Sequence, residues 1–249
     1  MTKIAALLPM RHNSERVPGK NYRNFAGVPL YHRIVESLLA CPAIDTVVID
    51  TDSPFINEDV ARYFPEVKVL QRPEHLKAGT VPMNDVLLHD ISQIEADYYL
   101  QTHSTNPLLR PETISKAIDN FLDNYPMYDS LFGVTRMQTR LWDGLARAVN
   151  HNPAILLRTQ DLPPIYEENS CLYIFTRDIL KTKHNRIGNR PLMFEIDALE
   201  AVDIDEELDF RVSEFLYVER EKLNDNLSGI SQLSPSAKNH PSVSRSPSC

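Results

Sequence analysis

Short apolar runs alternate with amphipathic stretches along the first half of the chain. Ile4–Leu8 is continuously apolar and Thr46–Asp50 (TVVID) repeats the pattern, as expected for strands buried on both faces of a parallel sheet. Between them, apolar residues recur at helical spacing over 30–39. The same reasoning predicts helices at 56–64, 86–94 and 111–125 and strands at 67–70 and 98–101. Strands that alternate with helices at this spacing predict an α/β fold with a mostly parallel, doubly wound sheet.

The pattern changes after Ser130. Strands are predicted at 131–135, 146–149 and 171–175, without full crossover helices between them. An antiparallel arm over about 131–175 is therefore expected. A strand at 192–196, a strand-like acidic stretch at 201–204 and a helix from Glu206 to about Glu221 complete a domain spanning 1–224. The Ser- and Pro-rich segment 225–249 is predicted to be a disordered tail.

Composition narrows the classes of partner. The 249 residues carry 34 acidic and 26 basic side chains, a net charge of -8, which argues against nucleic-acid binding driven by bulk charge. Any polyanionic ligand must be held by a few placed cations. The amino terminus lacks the apolar run of a signal peptide or membrane span. The three cysteines are widely spaced and form no CxxC, so we expect a protein of the reducing cytoplasm.

The polar loop after the first predicted strand is a candidate anion site. It reads LLPMRHNSERVPGKN and presents Arg11, Ser14, Arg16, Lys20 and Asn21 where open α/β sheets bind ligands. Cations, a hydroxyl and the amides exposed around Pro-Gly suit phosphate oxygens. A solvated basic loop is the alternative. The loop lacks the glycines of GxxxxGK[ST] and GxGxxG, which disfavours a P-loop ATPase or a nucleotide-linked dehydrogenase.

A second candidate is the acidic stretch VDIDEELDF, residues 202–210. Asp203 and Asp205 are two positions apart, so on an extended strand their carboxylates point the same way, as ligands of a hard divalent cation require. The alternative is an acidic helix start, because Asp205, Glu206 and Glu207 suit the positive end of a helix dipole.

The first loop resembles a known signature. RxxSxRVPxKN, residues 11–21, is similar to the motif of the sugar-acid cytidylyltransferases, which include the CMP-N-acylneuraminate synthetases and, more distantly, the CMP-Kdo synthetases. The resemblance covers about residues 3–220. It implies a three-layer α/β/α nucleotidyltransferase (GT-A-like) fold, CTP and a sugar acid as substrates, Mg²⁺ as cofactor and a homodimer formed through the arm. The implied reaction transfers CMP from CTP to the anomeric hydroxyl of a sialic-acid-like 2-keto sugar acid and releases pyrophosphate.

The resemblance also implies roles for individual residues. Arg11 and Lys20 would grip the triphosphate and Asp205 would join them in catalysis, with Asp203 and Asp205 holding the magnesium. Nucleotide contacts are expected from Arg11, Ser14, Arg16, Lys20, Asn21 and Arg72. Acceptor contacts are expected from Gln101, Asn169 and Tyr173.

The chain departs from the family pattern at two places. Extra residues from His103 to Asn106 separate Gln101 from the following Pro-Leu-Arg-like segment, and His103 is either a solvated loop residue or an acceptor contact. Ser170 stands where the family has glycine, and Tyr173 could also be a core residue.

The acceptor carboxylate needs a cation, for which four arginines are equivalent on sequence grounds: Arg136, Arg140, Arg158 and Arg190. A Kdo-like or other acceptor and a catalytically weak, nucleotide-binding regulatory protein are the alternatives.

Overall fold

The computed structural model describes residues 2–231. The larger sheet contains seven strands: β1 (Ile4–Met10), β4 (Thr46–Thr51), β5 (Lys68–Gln71), β6 (Tyr98–Thr102), β7 (Ser130–Met137), β8 (Ile165–Phe175) and β9 (Pro191–Glu195). A two-stranded hairpin consists of β2 (Asn24–Phe25) and β3 (Val28–Pro29). The α-helices are α1 (Leu30–Leu39), α2 (Pro54–Tyr63), α3 (Met83–Gln93), α4 (Pro111–Asn124), α5 (Arg177–Lys183) and α6 (Glu207–Ser231).

The larger sheet has the strand order β5-β4-β1-β6-β8-β7-β9. Its strands pair in parallel except at β8, which is antiparallel to both neighbours, β6 and β7. The predicted doubly wound, mostly parallel sheet with an antiparallel excursion is therefore confirmed. The long connection from β7 to β8 lies within the predicted arm and contains one isolated bridge, between Trp142 and Ala148.

Helices cover both faces of the sheet and make a three-layer α/β/α arrangement. One apolar core joins alternate residues of β1, including Leu8, to α1, α2 and α4. The residues between them, such as Leu7, pack on α3 and α5 in a second core. Since successive side chains of a strand point to opposite faces, a strand that is buried throughout must have a layer on each side.

A third, small core packs the loop that follows β1 against the residues before and at the start of α6. Val17 of the first loop and Phe25 of the hairpin pack with Ile204 and Phe210, at the start of α6. Phe25 and Phe210 meet edge to face, with ring centroids 5.5 Å apart. This cluster fixes segment 202–210 beside the loop that follows β1.

Two predicted strands are wrong. Residues 146–149 are irregular apart from the Ala148 bridge, and residues 201–204 form a loop rather than a strand. In the second case only Ile204 is buried, so the segment has a single apolar anchor and no strand partner. Helix α5 is a feature that the sequence analysis missed, and α6 continues past the predicted end at Glu221 to Ser231. Of the predicted tail, residues 232–249 lie outside the described part of the chain. None of the helices described is long and apolar enough to cross a membrane.

Candidate active site

A cavity of about 270 Å³ lies at the carboxyl end of β1, where the first loop leaves the sheet. Open α/β sheets bind ligands at this edge. A cavity of about 850 Å³ lies at the opposite edge, beside the amino ends of β1 and β6, and of the candidate residues only Arg190 lines it. The smaller cavity is lined by Pro9, Met10, Arg11, Asn13, Ser14, Glu15, Arg16, Lys20, Asn21, Gly79, His103, Ser104 and Thr105.

The first loop is held in a tight turn around Lys20. Gly19 has φ 68°, a left-handed conformation that favours glycine, and it begins a short 3₁₀ helix over Lys20–Tyr22. The side chain of Asn21 is buried in this turn. Its Nδ2 donates to the backbone oxygen of Arg11 at 2.8 Å, and its Oδ1 accepts a hydrogen bond from the Ser104 hydroxyl at 2.8 Å. Asn21 therefore fixes the loop that carries the predicted phosphate-binding cations.

The structure brings the cationic loop and the acidic segment together. Arg16 Nη2 and Asp205 Oδ1 are 2.5 Å apart. Lys20 Nζ donates a hydrogen bond to the backbone oxygen of Ile204, also at 2.5 Å. The two segments lie far apart in sequence and meet beside one cavity.

Burial and charge oppose each other at Lys20. Desolvation lowers the pKa of the Lys20 ammonium, while the nearby carboxylates of Asp203 and Asp205 act to raise it. Desolvation raises the pKa of Asp203, and the charge of Asp205 adds to this effect. Because Asp203 keeps an exposed side chain, solvent screens this shift. The neighbouring negative charges of Asp203 and Asp205 favour the binding of a cation beside them.

The extra residues 103–106 connect the two halves of the site. Ser104 bonds to Asn21 of the first loop, as described above. The Thr105 side chain acts to lower the pKa of Asp203, and the Thr105 carbonyl accepts from the Ile204 amide at 3.0 Å. Asn106 Nδ2 donates to the carbonyl of Val202 at 3.3 Å. Ser104 and Thr105 were not among the predicted site residues, because their partners lie in distant segments.

His103 lines the cavity and is half-buried there. Desolvation lowers the pKa of His103 to about 3, and the positive charges of Arg186 and Lys20 contribute in the same direction. The imidazole is neutral at physiological pH. Its Nε2 lies 3.0 Å from Gln101 Nε2 and can accept a hydrogen bond from it.

Two of the three predicted acceptor residues, Gln101 and Tyr173, contact Arg186. The buried Gln101 accepts a hydrogen bond at Oε1 from Arg186 Nη1 at 2.5 Å. The Arg186 guanidinium lies over the Tyr173 ring, 3.6 Å from its centroid. The Tyr173 hydroxyl donates to Glu168, so this buried tyrosine combines core packing with support for Arg186. The sequence analysis did not select Arg186, since its partners come from β6 and β8.

Asn169 and Ser170 precede Tyr173 on β8. Asn169 Oδ1 accepts from the Cys171 amide at 3.2 Å, and its Nδ2 donates to the Thr135 hydroxyl at 3.1 Å. Asn169 thus holds β8 against β7. Ser170 adopts φ 57°, so it keeps a left-handed backbone at the position where the family has glycine.

Arg72 lies outside this cavity. It is buried in an ion pair with Asp50, and its amide donates to the carbonyl of Thr51 at 3.0 Å. The buried Asp90 lies beside the pair, and its pKa is raised to about 9 by burial, with the Asp50 carboxylate adding to the shift. The structure does not bring Arg72 together with the other predicted nucleotide contacts.

Two acidic groups could hold a divalent cation. Asp203 and Asp205 offer carboxylate oxygens beside a polar cavity open to solvent, which is the donor set that Mg²⁺ prefers together with water and phosphate. The other cluster, Asp50, His89 and Asp90, places one ligand atom from each residue within 4.8 Å of the others. That cluster includes an imidazole and is already partly neutralised by Arg72, so it suits Mg²⁺ less well.

Comparison with known proteins agrees with this geometry. The profile of the family described as Cytidylyltransferase matches residues 5–229. The chain belongs to the cytidylyltransferase family. The predicted family and the prediction of a nucleotidyltransferase enzyme are thereby confirmed.

Individual relatives cover most of the chain. CMP-N,N'-diacetyllegionaminic acid synthase of Legionella pneumophila is 29% identical over 86% of this chain and 96% of its own length. N-acylneuraminate cytidylyltransferase A of Danio rerio is 26% identical over 85% of this chain, and the match spans only 50% of that longer relative. A CMP:2-keto-3-deoxy-manno-octonic acid synthetase solved with CTP has the same fold, with a TM-score of 0.66 at 15% identity, over 88% of this chain and all of that one.

Proposed function

We propose that this cytidylyltransferase transfers CMP from CTP to the anomeric hydroxyl of a sialic-acid-like 2-keto sugar acid and releases pyrophosphate. The observation that carries the proposal is the meeting of the cationic loop with the acidic segment, through Arg16–Asp205 and Lys20–Ile204. The Legionella and zebrafish relatives, whose names specify sugar acids, support this choice of acceptor.

The triphosphate would lie against the first loop. Arg11 and Lys20 supply positive charge at the cavity wall, and Ser14 supplies a hydroxyl. The acceptor oxygen forms a bond to the α-phosphorus while the bond to the bridging oxygen of pyrophosphate breaks. Negative charge then develops on the non-bridging and leaving oxygens. Cations held in place before the reaction, as Lys20 is by Ile204, stabilise that charge without further reorganisation.

Asp203 and Asp205 would hold the Mg²⁺ of this reaction. When bound, the ion supplies further positive charge to the phosphate oxygens. The carboxylate of Asp205 is occupied by Arg16 in the structure, so binding of a nucleotide with its ion requires these two side chains to exchange partners. Both are largely exposed, with 62% and 48% of their side-chain surface accessible, and an exposed ion pair is worth only about 0–1 kcal/mol.

The acceptor would bind on the side of Arg186, which lies against the buried Gln101 and Tyr173. His103 lies 3.0 Å from Gln101, lines the cavity with Lys20 and stays neutral, so it adds no further positive charge there. The retained left-handed backbone at Ser170 supports an acceptor wall with the family's geometry.

We also propose a homodimer formed through the arm at about 131–175, and a cytoplasmic location. The arm exposes large apolar side chains, including Trp142, Leu145 and Leu156, whose burial between subunits would be favourable. The buried free thiols of Cys41 and Cys171 are compatible with a reducing compartment.

Pyrophosphate release by the purified protein tests the activity. CTP, UTP and ATP are each combined with N-acylneuraminate, N,N'-diacetyllegionaminic acid, pseudaminic acid and 3-deoxy-manno-octulosonate, with Mg²⁺ present. We expect turnover with CTP and a sialic-acid-like acceptor. Arg11→Ala should abolish most of it, whereas the matched change at an exposed arginine of α2, Arg62→Ala, should not. Turnover with 3-deoxy-manno-octulosonate alone, or CTP binding without turnover, would contradict the proposal.

A further inference from the structure

Arg186 is distinguished from the other arginines by its surroundings. Its guanidinium is half-buried, stacked on Tyr173 and hydrogen-bonded through one nitrogen to the uncharged Gln101. Within residues 2–231, no carboxylate comes within 4.0 Å of it to form an ion pair. A guanidinium carries five N–H donors, so most of its hydrogen-bonding capacity is unused.

The four arginines considered from the sequence lie elsewhere. Arg158 pairs with Asp161 at 2.6 Å, Arg190 Nη2 donates to the carbonyl of Pro126 at 3.0 Å, and Arg140 donates to the carbonyl of Leu157. Arg136 lies on β7 opposite Tyr166, in the exposed arm. None of these contacts reaches the wall formed by Gln101 and Tyr173.

Arg186 lies on the same side of the molecule as the proposed reaction. Arg186 contacts Gln101 at 2.5 Å, Gln101 lies 3.0 Å from His103, and His103 lines the same cavity as Lys20. In a 2-keto sugar acid the carboxylate and the reacting hydroxyl are bonded to the same carbon. A carboxylate held by Arg186 would therefore keep the hydroxyl close by, on the side of His103 and the cavity.

We propose that Arg186 binds the carboxylate of the acceptor and thereby selects sugar acids over neutral sugars. The inference rests on the proposed function, which supplies the acceptor class. Stacking on Tyr173 and the bond to Gln101 hold the guanidinium in one orientation, so its free donors can form a two-point contact with a planar carboxylate.

The test compares Arg186→Gln and Arg186→Lys with wild type, and uses Arg190→Gln as the matched control from the same connection between α5 and β9. Pyrophosphate release is measured while the acceptor or CTP is varied. Arg186→Gln should raise the KM for the sugar acid by about 10- to 100-fold, the loss expected for a charge-assisted hydrogen bond. The KM for CTP should stay within about twofold. Arg186→Lys should recover part of the loss, and Arg190→Gln should behave as wild type.

A ligand pair that differs only in charge distinguishes recognition of the carboxylate by Arg186 from a purely structural role of this residue. Calorimetry with N-acylneuraminate and its neutral methyl ester should show that wild type prefers the acid and that Arg186→Gln does not. Equal increases in both KM values, or an unchanged preference for the acid, would overturn the inference. The proposed function fails separately, when wild type releases no pyrophosphate with any sugar acid; the acid-versus-ester comparison then still decides the role of Arg186, and absence of binding to wild type counts against it.

Discussion

Arg16 and Asp205 are 189 positions apart in sequence and form an ion pair with a 2.5 Å contact. One belongs to the predicted phosphate-binding loop and the other to the predicted magnesium site. Each neutralises the charge of the other in the structure, and the exposed pair is weak enough to exchange for a nucleotide and its ion. Under the proposed function, binding of the phosphates at Arg16 would therefore be coupled to binding of the metal at Asp205.

Replacing Asp205 should weaken the response to Mg²⁺. Asp205→Asn removes one of two proposed ligands, and the Mg²⁺ concentration for half-maximal pyrophosphate release should rise at least about tenfold, since even partners behind the ligands contribute about 10- to 100-fold. The free energy of unfolding should change by less than ~1 kcal/mol, because the lost ion pair is exposed. Glu206→Gln is the control, and an equal shift in both variants would contradict the assignment.

Lys20 should be essential for turnover. Lys20→Met keeps an unbranched side chain and removes the ammonium that the Ile204 carbonyl holds in place. We expect kcat to fall by about 10²–10³, the cost of removing a preorganised donor to a developing oxyanion. Lys77→Met removes an exposed ammonium paired with Glu74 and should leave kcat unchanged. A Lys20→Met enzyme with near-normal kcat would exclude the proposed role.

Gly79 gives a way to disturb Arg11 without touching it directly. A Cβ at Gly79 would approach Arg11 Nη1 to 2.6 Å, so Gly79→Ala must displace the guanidinium. The end of this side chain is flexible, and stability should therefore change by less than ~0.5 kcal/mol. We expect a several-fold higher KM for CTP in steady-state kinetics.

The control for this experiment lies in the arm. Gly144 has nothing within 4 Å of an added Cβ, so Gly144→Ala introduces the same methyl group into open space. Its KM for CTP should equal that of wild type. An unchanged KM in Gly79→Ala would show that the position of Arg11 is not critical for binding.

The raised pKa of Asp90 predicts a pH-dependent stability. Burial raises this pKa to about 9, while an unfolded aspartate titrates near 3.9. The folded state therefore binds more protons than the unfolded state between about pH 4 and 9, and the free energy of unfolding decreases as the pH rises. One such group contributes up to ~1.4 kcal/mol per pH unit.

Asp90→Asn should flatten this dependence, because an amide does not titrate. Urea unfolding at pH 6 and pH 8.5 would measure the change, with the exposed Asp119→Asn as the control. Loss of stability with rising pH should be smaller in Asp90→Asn than in wild type and in the control. Equal slopes in all three proteins would show that Asp90 is not the titrating group.

The accuracy of the sequence-based predictions follows local hydrophobic patterns. The apolar run of β1 and the helical spacing of α1 predicted both elements, because each buries a face determined by its own residues. The loop at 201–204 resembled a strand because three of its four residues, all except Asp203, are apolar. The first part of β8 was missed, since residues 165–170 are mostly polar and pair with β7 in the exposed arm.

The site residues, too, could be predicted only where the signal is local in the sequence. The charged motif at 11–21 and the Asp-x-Asp pair could be selected from the sequence, because charge placed after a strand is visible locally. The importance of Arg186 and Thr105 could not, since each depends on side chains brought close only by the folded sheet.

The reversed direction of β8 separates the two halves of the site. Residues of the parallel strands enter from their carboxyl ends, whereas Asn169 and Tyr173 lie on a strand that runs the opposite way and follows the long connection from β7. Changes in length within that connection can therefore remodel the acceptor wall while the loop after β1 stays intact. Under the proposed function, such changes would alter the sugar preference and leave the nucleotide preference unchanged.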